Sequence, residues 1–215
     1  LINDEVKSQR PYFTDQPIRN NLTVGATLLL AAIGRICKPT SKDGWYGWAK
    51  RTSLSYLLRM DLSKLDSQHF WDMMDSLPEN KIGDIELNLL KNIKQQYSLD
   101  SDSLFYDTTN FYTYVNTTNV RCAIAQRGKN KQKRTDLRQV GLAMVVSRKD
   151  LTPVFHETYQ GNKNDSPVFR NLLVKIKNRM SALGMDVNKH TIVFDRGCNA
   201  KKNLKIISNL KMHYV

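Results

Sequence analysis

Ser103-Leu104-Phe105-Tyr106-Asp107-Thr108-Thr109 and, much later, Thr191-Ile192-Val193-Phe194-Asp195-Arg196-Gly197 are the two stretches whose reading decides the fold. Each is a short apolar, β-branched and aromatic run that delivers one aspartate near its end. Runs of that length, followed by turn or breaker residues, read as buried strands. A carboxylate on a buried strand is costly to desolvate and needs a cation, a hydrogen-bond network or a metal. Two such strands in one domain therefore point to two acids meeting at a divalent metal site.

Working outward from Leu104, strands dominate the second half. Phe111 to Val115 either extends the first strand or forms an irregular piece. Val140 to Val146 is a continuous apolar strand, and Leu151 to Tyr159 alternates like a paired one after a turn at Arg148-Lys149-Asp150. Gly161-Asn162-Lys163-Asn164-Asp165 is a loop whose Asp165 is expected to cap a helix, with Pro167 in its first turn and Val168, Leu172, Ile176, Met180 and Leu183 on its buried face. The strand ending at Asp195, a helix from Asn199 to Leu210 and His213-Tyr214-Val215 close the chain. Strand, strand, strand, helix, strand, helix, strand is the order of a ribonuclease H-like α/β sheet, in which the first and fourth strands are neighbours.

The first hundred residues read differently. Residues 1–20 are polar with Pro11 and Pro17, an expected irregular lead-in. Asn21 is the expected cap of a helix carrying Leu28, Leu29, Ala32, Ile33 and Ile36. Lys38 to Gly44 breaks it, and Trp45-Tyr46-Gly47-Trp48 follows with Lys50 and Arg51 behind. Such aromatics either stack on bases or fill a small helical core, and core is the favoured reading. Further helices carry Leu54, Leu57 and Leu58; then Phe70, Trp71, Met74 and Leu77 up to Pro78; then Ile85, Leu89, Ile93 and Tyr97 with Leu90 beside them. The expected organisation is a mainly helical domain over 1–100, suited to binding DNA ends, a linker at Ser98 to Ser103, and an α/β domain over 101–215.

Composition narrows the partner. The 215 residues contain 33 Lys and Arg against 20 Asp and Glu, a net charge of +13. That excess favours an anionic partner, nucleic acid first. The densest basic run is Arg127, Lys129, Lys131, Lys133, Arg134 and Arg138 against Asp136 alone; it reads as a phosphate-contacting loop beside the acids or as a solvated loop. Arg196, Lys201 and Lys202, with Lys205, extend the same surface. Three separated cysteines with no CxxC pair suggest neither a zinc site nor a disulfide framework, and a cytoplasmic setting is the default. The apolar run from Ala26 to Ile36 is too short to span a bilayer. The start at Leu1 and the end inside an incipient strand read as a segment of a longer protein.

Four pieces in order carry a resemblance: Tyr106-Asp107-Thr108-Thr109; the basic segment running into Arg134 to Leu142; Leu151-Thr152-Pro153 before a strand closing on Gly161-Asn162-Lys163-Asn164-Asp165; and Val193-Phe194-Asp195-Arg196-Gly197. Together they make Leu104 to Val215 similar to the catalytic domain of DDE-type insertion-sequence transposases, the cut-and-paste family. The resemblance implies a ribonuclease H-like fold incomplete at the C-terminus, and two aspartates and a glutamate holding two Mg²⁺ or Mn²⁺ ions. It further implies double-stranded DNA, both transposon ends and target, as substrate of an endonuclease and strand transferase, and a homodimer on DNA in a bacterial, nucleoid-associated setting. Asp107 and Asp195 match the first two acids as catalytic and metal-binding residues. The family's glutamate lies on a helix beyond the second aspartate and has no match before Val215, and Glu157 sits in the wrong strand. The isolated chain is therefore expected to be inactive. The alternatives are a catalytically inactive DNA-binding remnant and a nuclease of the same fold acting on RNA–DNA hybrids.

Overall fold

Alternation governs the sheet. In β1 (Ser103–Thr113), Leu104 and Tyr106 are buried while Phe105 and Asp107 face outward. In β2 (Arg138–Ser147), Gln139, Gly141, Ala143, Val145 and Ser147 are buried, with half-buried residues between. The computed structural model describes residues 1–9, 19–97, 102–129 and 134–215, with side chains of 6–9 left aside. β2 pairs antiparallel with β1 and with β3 (Pro153–Gln160), and β4 (Thr191–Phe194) and β5 (His213–Tyr214) add in parallel beyond β1. The order β3-β2-β1-β4-β5, with only β2 reversed, is that of the ribonuclease H-like mixed sheet.

Helix α7 (Asp165–Ala182) lays Val168, Phe169, Leu172, Leu173, Ile176 and Met180 into this core. Helix α8 (Lys201–Asn209) packs beside it and buries Ile207. Phe169 is wholly buried between two aromatics, 4.5 Å from the Tyr106 ring centre on β1 and 4.7 Å from that of Phe194 on β4. This stack ties the ends of the two central strands to one helix. Tilted aromatic pairs at such distances contribute about 0.5–1.5 kcal/mol beyond their buried area.

The chain divides into two compact units, Leu1–Leu89 and Leu90–Val215. The first is helical: α1 (Ile2–Gln9), α2 (Val24–Cys37), α3 (Lys42–Ala49), α4 (Leu54–Leu58), α5 (Ser67–Asp75) and the first half of α6 (Ile82–Tyr97). The expected irregular lead-in is thus helical over Ile2–Gln9, whereas Pro11 and Pro17 lie outside the described residues. Thr23, not Asn21, caps α2: its hydroxyl accepts from the Ala26 amide at 3.2 Å, while Asn20 and Asn21 adopt positive φ. In α2, Val24, Thr27, Leu30 and Gly34 are buried and Leu29 and Ile36 are exposed. In α5, likewise, Phe70 and Met73 are buried and Trp71 and Met74 exposed. In α6 Leu90 is buried whereas Leu89 and Tyr97 are exposed. Trp45, Tyr46 and Trp48 pack on the core of Leu22, Leu30, Ala49, Leu62, Leu65 and Phe70, with Trp45 edge-on to Phe70 at 5.7 Å. They fill the helical core.

His69 sits inside this unit. The Thr27 hydroxyl gives its proton to the Thr23 carbonyl at 3.0 Å, so it accepts from His69 Nε2 at 2.8 Å. The Nδ1 lone pair then faces the Asn20 amide at 3.4 Å. Burial, followed by the nearby Arg19 charge, holds the imidazole pKa below its usual value. No helix among the described residues is long and apolar enough to cross a membrane. Of the expected linker, 98–101 lie outside the described residues, and Ser103 already begins β1.

Candidate active site

The parallel register Leu104↔Ile192, Phe105↔Val193, Tyr106↔Phe194 sets the next residues level, so Asp107, within β1, stands beside Asp195, the first residue past β4. β3 is antiparallel to β2 and so parallel to β1; it finishes there too, and Asp165 opens α7 just beyond it. All three carboxylates line one cavity of about 470 Å³ with Tyr106, Thr108, Thr109, Asn110, Tyr112, Lys129 and Cys198. Ligand clefts of α/β proteins form at such carboxyl ends of strands.

Each acid is oriented by its own local turn. One Asp107 carboxylate oxygen accepts from the Thr108 amide at 2.7 Å. Asp195 caps the 3₁₀ turn Arg196–Cys198, its Oδ1 accepting from the Gly197 amide. Asp165 Oδ1 accepts from the Tyr159 hydroxyl at 3.2 Å. That bond depends on Gly141, where a Cβ would lie 2.3 Å from the Tyr159 ring. Burial, then the Asp165 charge, pushes the Tyr159 phenol up to about 12.

The expectation that the acids sit on buried strand positions is corrected. Asp107, Asp165 and Asp195 are all exposed, because the outward register in β1 and the strand's end in β4 put them in solvent. Their meeting is topological and owes nothing to forced desolvation. The buried groups are underneath. Cys198, 3% exposed, has its thiol pushed up to about 12 by burial and then by Asp165, Asp195 and Asp107, so it is held as a thiol and is no nucleophile at neutral pH. The Tyr106 hydroxyl is buried without a hydrogen-bond partner among the described residues, and its pKa is raised chiefly by burial.

Carboxylate oxygens suit hard divalent cations, and the cavity supplies them. As placed, though, no three His, Cys, Asp or Glu side chains among the described residues converge on a single ion position. Asp107 and Asp195 fit a metal as part of a ligand set.

Sequence reasoning assigned Asp165 to helix capping. The capping position is Asn164, whose side chain makes no cap bond, and Asp165 faces the cavity instead. The signal was present in the strand order, since a helix opening after a strand parallel to β1 begins at the acids' end. Glu157 stays outside, paired with Lys175 at 2.7 Å.

The expected basic surface separates into unlike parts. Lys129 is exposed and reaches the cavity. Arg127 is exposed and donates to the Thr117 hydroxyl at 3.3 Å. Arg134 is a bidentate partner of Asp136, at 2.8 and 2.7 Å, and the pair holds the Asp136 carboxyl down at about 2. Arg196, Lys201 and Lys202 are exposed. Lys131 and Lys133 lie outside the described residues. Arg138 is a correction: it is 7% exposed, and its guanidinium donates to the carbonyls of Ala125 (2.5 Å), Asn116 (3.0 Å), Asn119 (2.9 Å) and Cys122 (2.6 Å). It organises the loop between β1 and β2 and has no face left for a phosphate.

No family model and no curated protein matches the chain. Among solved structures it is similar to a Mos1 transposase paired-end complex with left transposon end (10% identity, TM-score 0.38, covering 98% of this chain and 64% of that one). It is also similar to the catalytic domain of Mos1 mariner transposase (9%, 0.36, 64% and 61%). A third is a piggyBac transposase synaptic complex with hairpin DNA (12%, 0.42, 100% and 45%). The chain thus spans less than two thirds of the length of each. The fold assignment stands on the strand order rather than on these likenesses.

Proposed function

We propose that the chain is the helical and ribonuclease H-like part of a DDE-type DNA transposase of the insertion-sequence kind, which cleaves DNA at element ends and joins them to a target. The observation that carries this reading is the parallel β1–β4 register, which brings Asp107 and Asp195 to one cavity. The four-part resemblance from Leu104 to Val215 supports it independently.

Asp107 and Asp195 would hold a divalent metal, Mg²⁺ or Mn²⁺, as part of its ligand set at this cavity. A divalent ion held there would supply activation of a water or 3′-hydroxyl and stabilisation of the leaving oxygen of a phosphodiester. The rest is the chain's own work. Lys129 at the cavity wall meets phosphate charge, and Arg127, Arg196, Lys201 and Lys202 fix the duplex by its backbone without reading sequence. The glutamate implied by the resemblance has no matching position among these 215 residues, so on their own they bind metal weakly and do not cleave.

In the intact enzyme, Asp107→Ala and Asp195→Ala should each abolish cleavage at element ends and leave salt-sensitive DNA binding in place. Cleavage at the unmodified rate by Asp195→Ala overturns the assignment. The presence of only two of the three implied acids favours a second reading, a DNA-binding remnant without catalysis; strand transfer by the unmodified enzyme excludes it.

A further inference from the structure

Beyond Tyr106, strand β1 loses its neighbour on one side. Its parallel partner β4 is in register only from Ser103 to Tyr106, whereas its antiparallel partner β2 follows it to Thr113. Asp107 to Thr113 therefore forms an arm about 23 Å long, with no strand along its second edge among the described residues. Thr108, Asn110 and Tyr112 share one face of this arm by the two-residue repeat of a strand. All three are half-buried and line the cavity that Asp107, Asp165 and Asp195 also line. We propose that Tyr112 is a base-stacking residue: it holds an unpaired nucleotide of the DNA strand that passes the acids, with Asn110 at the base edge.

The chemistry of the wall selects this ligand. Tyr112 borders the open space with an aromatic side chain, Asn110 with an amide that both donates and accepts, and Lys129 with a cation. An unpaired nucleotide uses all three, as a surface to stack on, a partner for its base edge and a charge for its phosphate. A base inside a duplex has both faces covered and cannot lie on a tyrosine until it leaves the stack. The cavity, about 470 Å³, has room for a nucleotide and none for a duplex. Just past the arm, Tyr114 is 86% exposed, and the Arg134 guanidinium lies near its phenol and that of Tyr112.

Charge assigns the strand to the same unit. Residues 90–215 carry 22 Lys and Arg against 9 Asp and Glu, whereas residues 1–89 carry 11 of each. The whole excess of +13 belongs to the unit that holds Tyr112. Five positions separate Asp107 from Tyr112, about 16 Å along the strand. With stacked bases rising about 3.4 Å each, the base at Tyr112 lies about five nucleotides from the phosphate at the acids.

This inference deepens the proposed function and takes from it only that the polyanion is DNA. Fluorescence anisotropy in EDTA tests it without metal, using the 215-residue chain and a duplex with a single-stranded overhang of about six nucleotides. A second duplex carries the same overhang with abasic sugars, which keep every phosphate and lack the bases. The natural overhang should bind about tenfold more tightly than the abasic one. Tyr112→Leu fills the position without an aromatic face and should remove that preference, whereas Tyr112→Phe should keep it. Lys129→Ala should weaken both DNAs by the same factor. A 5-iodouracil in the overhang should photocrosslink to Tyr112. Equal affinity for the two DNAs overturns this inference and leaves the proposed function standing; binding to neither overturns both. A preference that survives Tyr112→Leu, or is lost in Tyr112→Phe, overturns the stacking role.

Discussion

At one end of the sheet Asp107, Asp165 and Asp195 face a cavity with Lys129 as its one cation among the described residues; at the other, among the described residues, Lys94, Arg148, Lys149 and Lys189 outnumber Asp102 and Asp186. The same strands supply both. β1 and β4 each enter from the basic pole and leave at the acidic one, so a net charge of +13 conceals a polarised domain. Positive charge attracts a polyanion to the whole surface, whereas the acids collect where the chemistry of the proposed reaction needs metal. The two poles also differ in how their buried groups are held. Cys198 and Tyr106 lie under the acids with raised pKa values, while His190 at the basic pole has one buried ring nitrogen without a partner among the described residues.

The largest effect expected at the acidic pole is structural. Phe169→Ala removes the ring that joins β1 to β4 through Tyr106 and Phe194, and should cost about 3–5 kcal/mol in denaturant unfolding. If stability barely changes, the aromatic stack does not fix the carboxylate end.

Arg138→Ala comes next. Hydrogen bonds to a charged group are worth about 1.5–3 kcal/mol each, and the loss here should reach about 3 kcal/mol of stability with no selective effect on DNA affinity. A variant that folds normally but binds DNA more weakly would return Arg138 to the phosphate-contacting surface. Lys129→Ala is the counterpart: stability unchanged, with the slope of log affinity against log salt reduced by about 1.

The smallest effect concerns the helical unit, where His69 offers a fully bonded contrast to His190. Its folded pKa is depressed below the unfolded value, so its contribution is complete above about pH 6.5. As pH falls through that value the unfolded state takes up a proton that the folded state refuses. Unfolding followed by circular dichroism should show stability falling with acid by up to about 1.4 kcal/mol per pH unit, and His69→Gln should flatten that slope. An unchanged slope would mean that another group controls it.

The sheet was legible in the sequence because its strands are short apolar runs, each closed by turn residues, and because their order admits few topologies. The meeting of Asp107 and Asp195 at one cavity was legible for the same reason, although the desolvation argument behind it failed at two exposed side chains. Helix faces in the first unit were less legible: Leu29 and Ile36 of α2 stand in solvent while Thr27 and Leu30 are buried. Periodicity locates a helix far better than its phase. The places of Arg138 and Asp165 could not be read from their local sequence. A charge in a basic run and an aspartate before a helix acquire their roles from long-range partners, four carbonyls in one case and the ends of two other strands in the other.

Calorimetric titration of Mn²⁺ into the 215-residue chain and into its Asp107→Ala and Asp195→Ala forms tests the central claim most directly. The account expects weak, saturable binding that disappears in both variants, because two aspartates from different strands share one site. Binding that survives both substitutions, or no binding to the unmodified chain, would contradict it.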